Sequence, residues 1–174
     1  MSMKRIAPTL VTLTGATKLY NLGQEFVTPA TSTEGEKCFR YVQYDDGTAN
    51  ITANTHQLLV PLAGDNTVYT GDKTNLSGIA CGRFAGILMG DVSTTSNKYC
   101  FIQTKGEGWL RAAGAAMAIG DAVYATPGGT DLQAEVYNGG LTGTTALYLG
   151  AASTFGVVAS AAAETTSQLL LNLG

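Results

Sequence analysis

The chain has 174 residues and a mass of 18.0 kDa, and Gly, Ala and Thr together occupy 69 of its positions. With 13% charged and 45% apolar residues it carries too little charge and too much apolar content for a disordered tail. A net charge of −3 and a pI near 5.0 argue against a nucleic-acid binder, which needs a basic patch to neutralise phosphates.

The first residues, MSMKRIAPTLVTLTGA, place Lys4 and Arg5 before an apolar stretch, as a signal peptide does. Pro8, Thr9, Thr12 and Thr14 make that stretch too polar for one, and no apolar run approaches the ~18 residues a membrane span needs. Residues 1–18 read as an N-terminal arm and residues 19–174 as a single β-rich domain. Phe39 to Tyr44 alternates, with Phe39 and Tyr41 on one face and Arg40, Val42 and Tyr44 on the other. Asp45-Asp46-Gly47 then reads as a hairpin turn, because Asp and Gly tolerate positive φ. Gln57 to Leu62 and Thr67 to Thr70 are short strands around the turn Ala63-Gly64-Asp65-Asn66. Ile79 to Met89 is apolar but carries Gly82 and Gly86, with Gly90 beyond, which suggests bulges or close backbone approach.

Tyr99 to Lys105 is the clearest strand, with Tyr99, Phe101 and Gln103 opposite Cys100, Ile102 and Thr104. Lys105-Gly106-Glu107-Gly108 reads as a hairpin turn, and Trp109 to Ile119 is the best helical candidate despite Gly114. Short strands follow at Ala122–Ala125, Leu132–Tyr137, Ala146–Leu149, Phe155–Ala159 and Gln168–Leu173. The turns Pro127-Gly128-Gly129 and Asn138-Gly139-Gly140 punctuate them, and Ser160 to Ser167 has room for one or two helical turns. Many short strands at this spacing predict an all-β sandwich or barrel with at most one or two short helices.

Catalytic equipment is scarce. His56 is the only imidazole, and no Gly-x-Ser-x-Gly elbow accompanies it. Zinc-ligand spacing, a phosphate-binding glycine loop and a dinucleotide fingerprint are all missing, so no metal and no cofactor are expected. Asp45 and Asp46 are adjacent, which suits a turn better than an acid–base pair. Cys38, Cys81 and Cys100 are an odd set at wide spacing, read as three buried thiols, the alternative being one bridge and a free thiol. The sequons at Asn50 and Asn75 read as chance matches in a Thr-rich chain. Trp109 is either a plug for the core or a sheet edge, or an anchor for a partner. Phe39, Tyr41 and Tyr44 suit cross-strand packing better than carbohydrate stacking.

Two stretches carry a resemblance. Leu19-Tyr20-Asn21-Leu22-Gly23-Gln24-Glu25-Phe26, leading to Gly35-Glu36-Lys37-Cys38-Phe39-Arg40-Tyr41-Val42, resembles an opening found in virion structural proteins of tailed bacteriophages. Ala113-Gly114-Ala115-Ala116-Met117-Ala118-Ile119-Gly120-Asp121-Ala122-Val123-Tyr124 begins the second. It continues through Pro127-Gly128-Gly129-Thr130 and Phe155-Gly156-Val157-Val158 to Gln168–Leu173. This is similar to the C-terminal half of small capsid decoration (cement) proteins, and the likeness is better from about Gly78 onward. The chain is longer at its N-terminal side than the shortest of them.

The resemblance implies a β-tulip or β-clip-like body and a non-enzymatic virion component, assembled in the bacterial cytoplasm, on the outer capsid surface. Its implied partners are the major capsid protein and further copies of itself as a homotrimer, with neither nucleic acid nor membrane. It also implies an N-terminal arm that adds to a capsid strand, with Lys4, Arg5, Ile6, Leu10, Val11 and Leu13 as contact residues and Trp109 as an interface anchor. The alternatives are another virion protein, such as a tail-tube subunit or the base of a head fibre, and a carbohydrate-binding module. An apolar pocket gathering His56 with Asp65, Asp72 or Asp91 would favour an enzyme or carbohydrate binder.

Overall fold

A computed structural model describes residues 3–31, 35–45, 56–61, 67–70, 85–93, 97–111, 123–128, 131–136 and 166–172. The strands, in chain order, are β1 (Lys4–Arg5), β2 (Glu25–Thr28), β3 (Lys37–Tyr44), β4 (Leu58–Pro61) and β5 (Val68–Thr70). They continue with β6 (Gly86–Leu88), β7 (Tyr99–Arg111), β8 (Val123–Gly128), β9 (Asp131–Val136) and β10 (Thr166–Asn172). A single 3-10 turn at Pro8–Leu10 is the only helical element among the described residues, so the fold is all-β as expected.

One sheet runs β1-β2-β3-β5-β4-β6-β7-β10, and β3 also pairs with β7. That extra pairing closes β3, β5, β4, β6 and β7 into a ring, a small barrel. Within the ring only β3 and β5 run parallel. The barrel interior gathers Val42 and Tyr44 of β3, Leu59 of β4, Tyr69 of β5, Leu88 of β6, and Cys100 and Ile102 of β7, with Ala85 and Val92. Full burial of such side chains stabilises by roughly 1.5–3 kcal/mol each. The alternation of β3 therefore falls as expected: Val42 and Tyr44 point inward, while Phe39 and Tyr41 point to the outside of the ring and are buried there too. Gly86 lets β6 sit close to β7, since a Cβ there would lie 2.7 Å from the Gln103 carbonyl oxygen.

Several local readings need correction. The next described strand after Asp45 is β4, and it pairs with β5 and β6, not with β3. Asp46 and Gly47 of the expected hairpin turn lie outside the described residues. Lys105–Gly108 is no turn: β7 runs through it to Arg111, paired with β10 from Lys105↔Asn172 to Arg111↔Thr166. For the same reason Trp109, Leu110 and Arg111 are strand and not the start of a helix. A bulge lies just before the glycine, at Thr104. Register with β3 slips between Cys38↔Lys105 and Phe39↔Gln103, and the Thr104 hydroxyl donates to the Cys38 carbonyl at 3.3 Å. Gly106 adopts φ +91°, and a Cβ on it would come within 2.7 Å of the Glu36 carbonyl oxygen.

β8 and β9 form a separate two-stranded sheet in which Gly128 pairs with Asp131. Pro127 and Gly128 are therefore within the ladder and not in a turn, and Gly129, the last residue of the expected turn, lies outside the described residues. Thr166 and Ser167 belong to β10 instead of a helical turn. The expected strands at Ala146–Leu149 and Phe155–Ala159, the turn at Asn138, both sequons and Cys81 lie outside the described residues.

Candidate functional site

The outer face of β3 and β7 carries the N-terminal segment. Pro8 pre-sets φ for the 3-10 turn at its first position. Ile6 N–H donates to the Val27 carbonyl at 3.0 Å, and Gly15 exchanges two backbone hydrogen bonds with Tyr99, each 3.0 Å. Between these ties Ile6 and Val11 are buried against Phe26, Phe39, Tyr41 and Phe101, with Tyr20, Leu22, Met89 and Tyr99 around them. The rings meet edge-on, Tyr20 at 4.9 Å from Phe26 and 5.2 Å from Tyr41, and Tyr41 at 5.0 Å from Phe101. Such pairs add about 0.5–1.5 kcal/mol beyond the area they bury. Gly90 admits the segment, since a Cβ there would lie 2.5 Å from the Thr12 carbonyl oxygen.

This placement divides the expected contact residues. Ile6 and Val11 are part of the chain's own core and present nothing to a partner. The described part of the arm is thus laid on the barrel, because its apolar side chains fill a bed of aromatic rings. Lys4 and Arg5 are exposed on β1, which pairs parallel with β2. Leu10 and Leu13 are exposed and follow one another around the turn, the Leu13 N–H donating to the Leu10 carbonyl at 3.2 Å. Trp109 lies on β7 beyond the bulge, opposite Gln168 of β10, and at 45% exposure it is no core plug.

Met3 and Leu19 were not singled out from the sequence, yet they are 44% and 63% exposed. Of the five exposed large apolar side chains among the described residues, Met3, Leu10, Leu13 and Leu19 all belong to this one segment, and Trp109 is the fifth. Single exposed apolar side chains are ordinary, but here four fall within residues 3–19.

Beside β1 the chain makes a rigid turn. The Gln24 N–H donates to the Asn21 carbonyl at 3.1 Å and Gly23 holds φ +78°, as a type II turn requires. Gly23 N–H donates to the Tyr41 carbonyl at 2.8 Å, and Tyr41 N–H returns a bond to Gln24 at 3.0 Å. The Leu19 N–H also donates to the Tyr41 hydroxyl, at 3.1 Å. The turn is thereby fixed to the central strand.

Phe39 and Tyr41 are buried in the outer cluster and Tyr44 in the barrel, so none of the three can stack on a sugar. His56 stands at φ +69°, half-buried; burial lowers its imidazole below the ordinary value while Asp91 pulls weakly the other way. Asp65 and Asp72 lie outside the described residues. Cys38 and Cys100 are free, buried thiols, both raised by desolvation, and Glu36 adds to the effect at Cys38. Among the described residues no group of three or more His, Cys, Asp or Glu is placed to hold a metal ion, and no helix is long and apolar enough to cross a membrane. No family model, curated protein or solved structure matches the chain.

Proposed function

We propose that this chain is a non-enzymatic decoration protein of a tailed-bacteriophage capsid, bound as a homotrimer to the major capsid protein on the outer surface. The observation that supports this most is the pinned N-terminal segment, which offers Met3, Leu10, Leu13 and Leu19 to solvent while Ile6 and Val11 hold it to the barrel. The resemblance of residues 19–42 and of the stretch from Gly78 onward to such proteins supplies the class of partner. Low charge fits the same reading, since the centres of protein interfaces are depleted of charged residues.

In this reading the segment acts as a preformed surface. Its order is established before docking, so less conformational entropy is lost on binding than a free arm would lose. Each contact is weak by itself. A trimer touching several capsid subunits gains avidity because its second and third contacts form at high effective concentration. Clamping neighbouring capsid subunits in this way resists rupture of the shell.

The test is sedimentation of the protein with empty, expanded shells of the major capsid protein of the same phage. Saturable binding is expected, together with a solution mass of three chains by light scattering. Replacing Leu10, Leu13 and Leu19 together by Ser should weaken binding at least about tenfold while leaving the fold intact, because these side chains are exposed. Shells carrying the protein should also rupture at higher temperature than bare ones. Failure to bind the shells removes the proposal, and rings or filaments of the isolated protein would favour a tail-tube subunit.

A further inference from the structure

Charge is divided unevenly along the chain. Residues 1–24 hold Lys4, Arg5 and Lys18 and no acidic residue, while residues 25–174 hold seven Lys and Arg against thirteen Asp and Glu. A body of negative sign thus begins with a positive segment. In the fold all three basic residues are exposed, and none forms an ion pair with a described residue. Glu25, the first acid to follow them, is engaged instead by the Arg40 guanidinium at 2.9 Å.

The two ends of the segment come to one place on the surface. Lys4 and Lys18 line the same cleft, of about 300 Å³, together with Leu19. Met3 and Lys4 lie on the wall of a second cleft, of about 410 Å³. Exposed basic and exposed apolar side chains are therefore neighbours: Met3 adjoins Lys4 and Arg5, and Leu19 adjoins Lys18. Between them no residue from Ile6 to Thr17 is charged, and this stretch presents Leu10 and Leu13. The field of three like charges acts through solvent over about a Debye length, ~8 Å at physiological salt. It needs no shared contact atom to attract an opposite surface. The segment is thus complementary to a protein face that is acidic and offers apolar hollows.

We propose that the face of the capsid shell that receives the N-terminal segment is acidic. Lys4, Arg5 and Lys18 steer the segment onto it, and the exposed Met3, Leu10, Leu13 and Leu19 hold it there. This inference rests on the capsid reading above and adds the sign of the partner's surface. Exposed charges at the edge of an interface act mainly on the rate of association, whereas truncating apolar contacts acts mainly on dissociation. The two groups of residues should therefore separate in kinetics. A nucleic-acid partner is disfavoured, because three cations neutralise few phosphates and the rest of the chain is negative.

The test is the kinetics of the full-length protein on immobilised empty shells. Lys4→Gln, Arg5→Gln and Lys18→Gln are combined in one variant; all three positions are exposed, so its melting temperature should match the wild type. At about 20 mM NaCl this variant should associate at least about fivefold more slowly than the wild type, with dissociation changed less than about twofold. At about 500 mM NaCl the two association rates should converge, because the field is screened. The Leu10, Leu13 and Leu19 to Ser variant should show the opposite pattern, faster dissociation with association little changed. Lys105→Gln, at an exposed lysine outside the segment, should behave as wild type. Equal association of the charge variant at low salt would overturn the proposal, and faster association would make the receiving face basic. Competition by duplex DNA would assign the charges to phosphates. A solution mass that falls toward one chain as salt rises, in the wild type alone, would place the acidic face on a second copy instead. Absence of binding at every salt concentration would remove the capsid reading and this inference with it.

Discussion

β3 and the first half of β7, Cys100–Thr104, are buried on both faces, and the two faces do different things. The inner face closes a barrel core in which only Tyr44 and Tyr69 are aromatic and the other members are Val, Leu, Ile, Ala and Cys. The outer face is a bed of rings, Phe26, Phe39, Tyr41 and Phe101 with Tyr20 and Tyr99, and it holds a segment more than it holds a sheet. Side chains from all five strands make the inner cluster a property of the whole ring. The outer cluster depends on one stretch near the start of the chain, so it can be loosened without opening the barrel. The same pair of strands therefore supports both the stability of the fold and the presentation of its surface.

The largest effect is expected from the inner face. Ile102→Ala removes a fully buried side chain and should cost about 2–5 kcal/mol in chemical denaturation, seen as one cooperative transition at lower denaturant. The junction between the two faces comes next. Gly90→Ala places a methyl against the Thr12 carbonyl and should cost about 1–3 kcal/mol as the segment shifts. Tryptic cleavage after Arg5 and Lys18 should then speed up while the barrel remains closed. Equal loss of barrel protection in that variant would show that the two clusters form one unit.

The smallest expected effect concerns His56, whose backbone conformation Asn also tolerates. Its imidazole is lowered mainly by burial, so the unfolded chain takes up a proton first as pH falls. Its contribution is complete above about 6.5, the ordinary histidine value, and is lost as pH drops below that toward the folded value. His56→Asn should flatten this part of the stability–pH curve, and an unchanged slope would assign it to other groups.

Period-two alternation made β3 and the first half of β7 legible, since Phe39 and Tyr41 against Val42 and Tyr44 already define two faces. That both faces are buried was not legible, because the cover comes from residues 6–22, distant in the chain. Gly106-Glu107-Gly108 looked like a turn because a glycine pair is a turn signal in any short window. Seven pairs with β10, contributed by residues 166–172, override that signal, and Gly106 stays within the strand at positive φ. Pairing with β10 also explains why Trp109 is strand. For the candidate site, the exposed Leu10 and Leu13 were readable from an apolar start to the chain. The burial of Ile6 and Val11 was not, since it rests on contacts between separate elements.

Whether the N-terminal segment is a preformed surface can be measured by amide hydrogen exchange in the isolated protein. The Ile6 and Gly15 amides, bonded to the Val27 and Tyr99 carbonyls, should be protected well above the rate of an unstructured peptide. Exchange of both at the unstructured rate would contradict the account and return residues 1–18 to the status of a free arm.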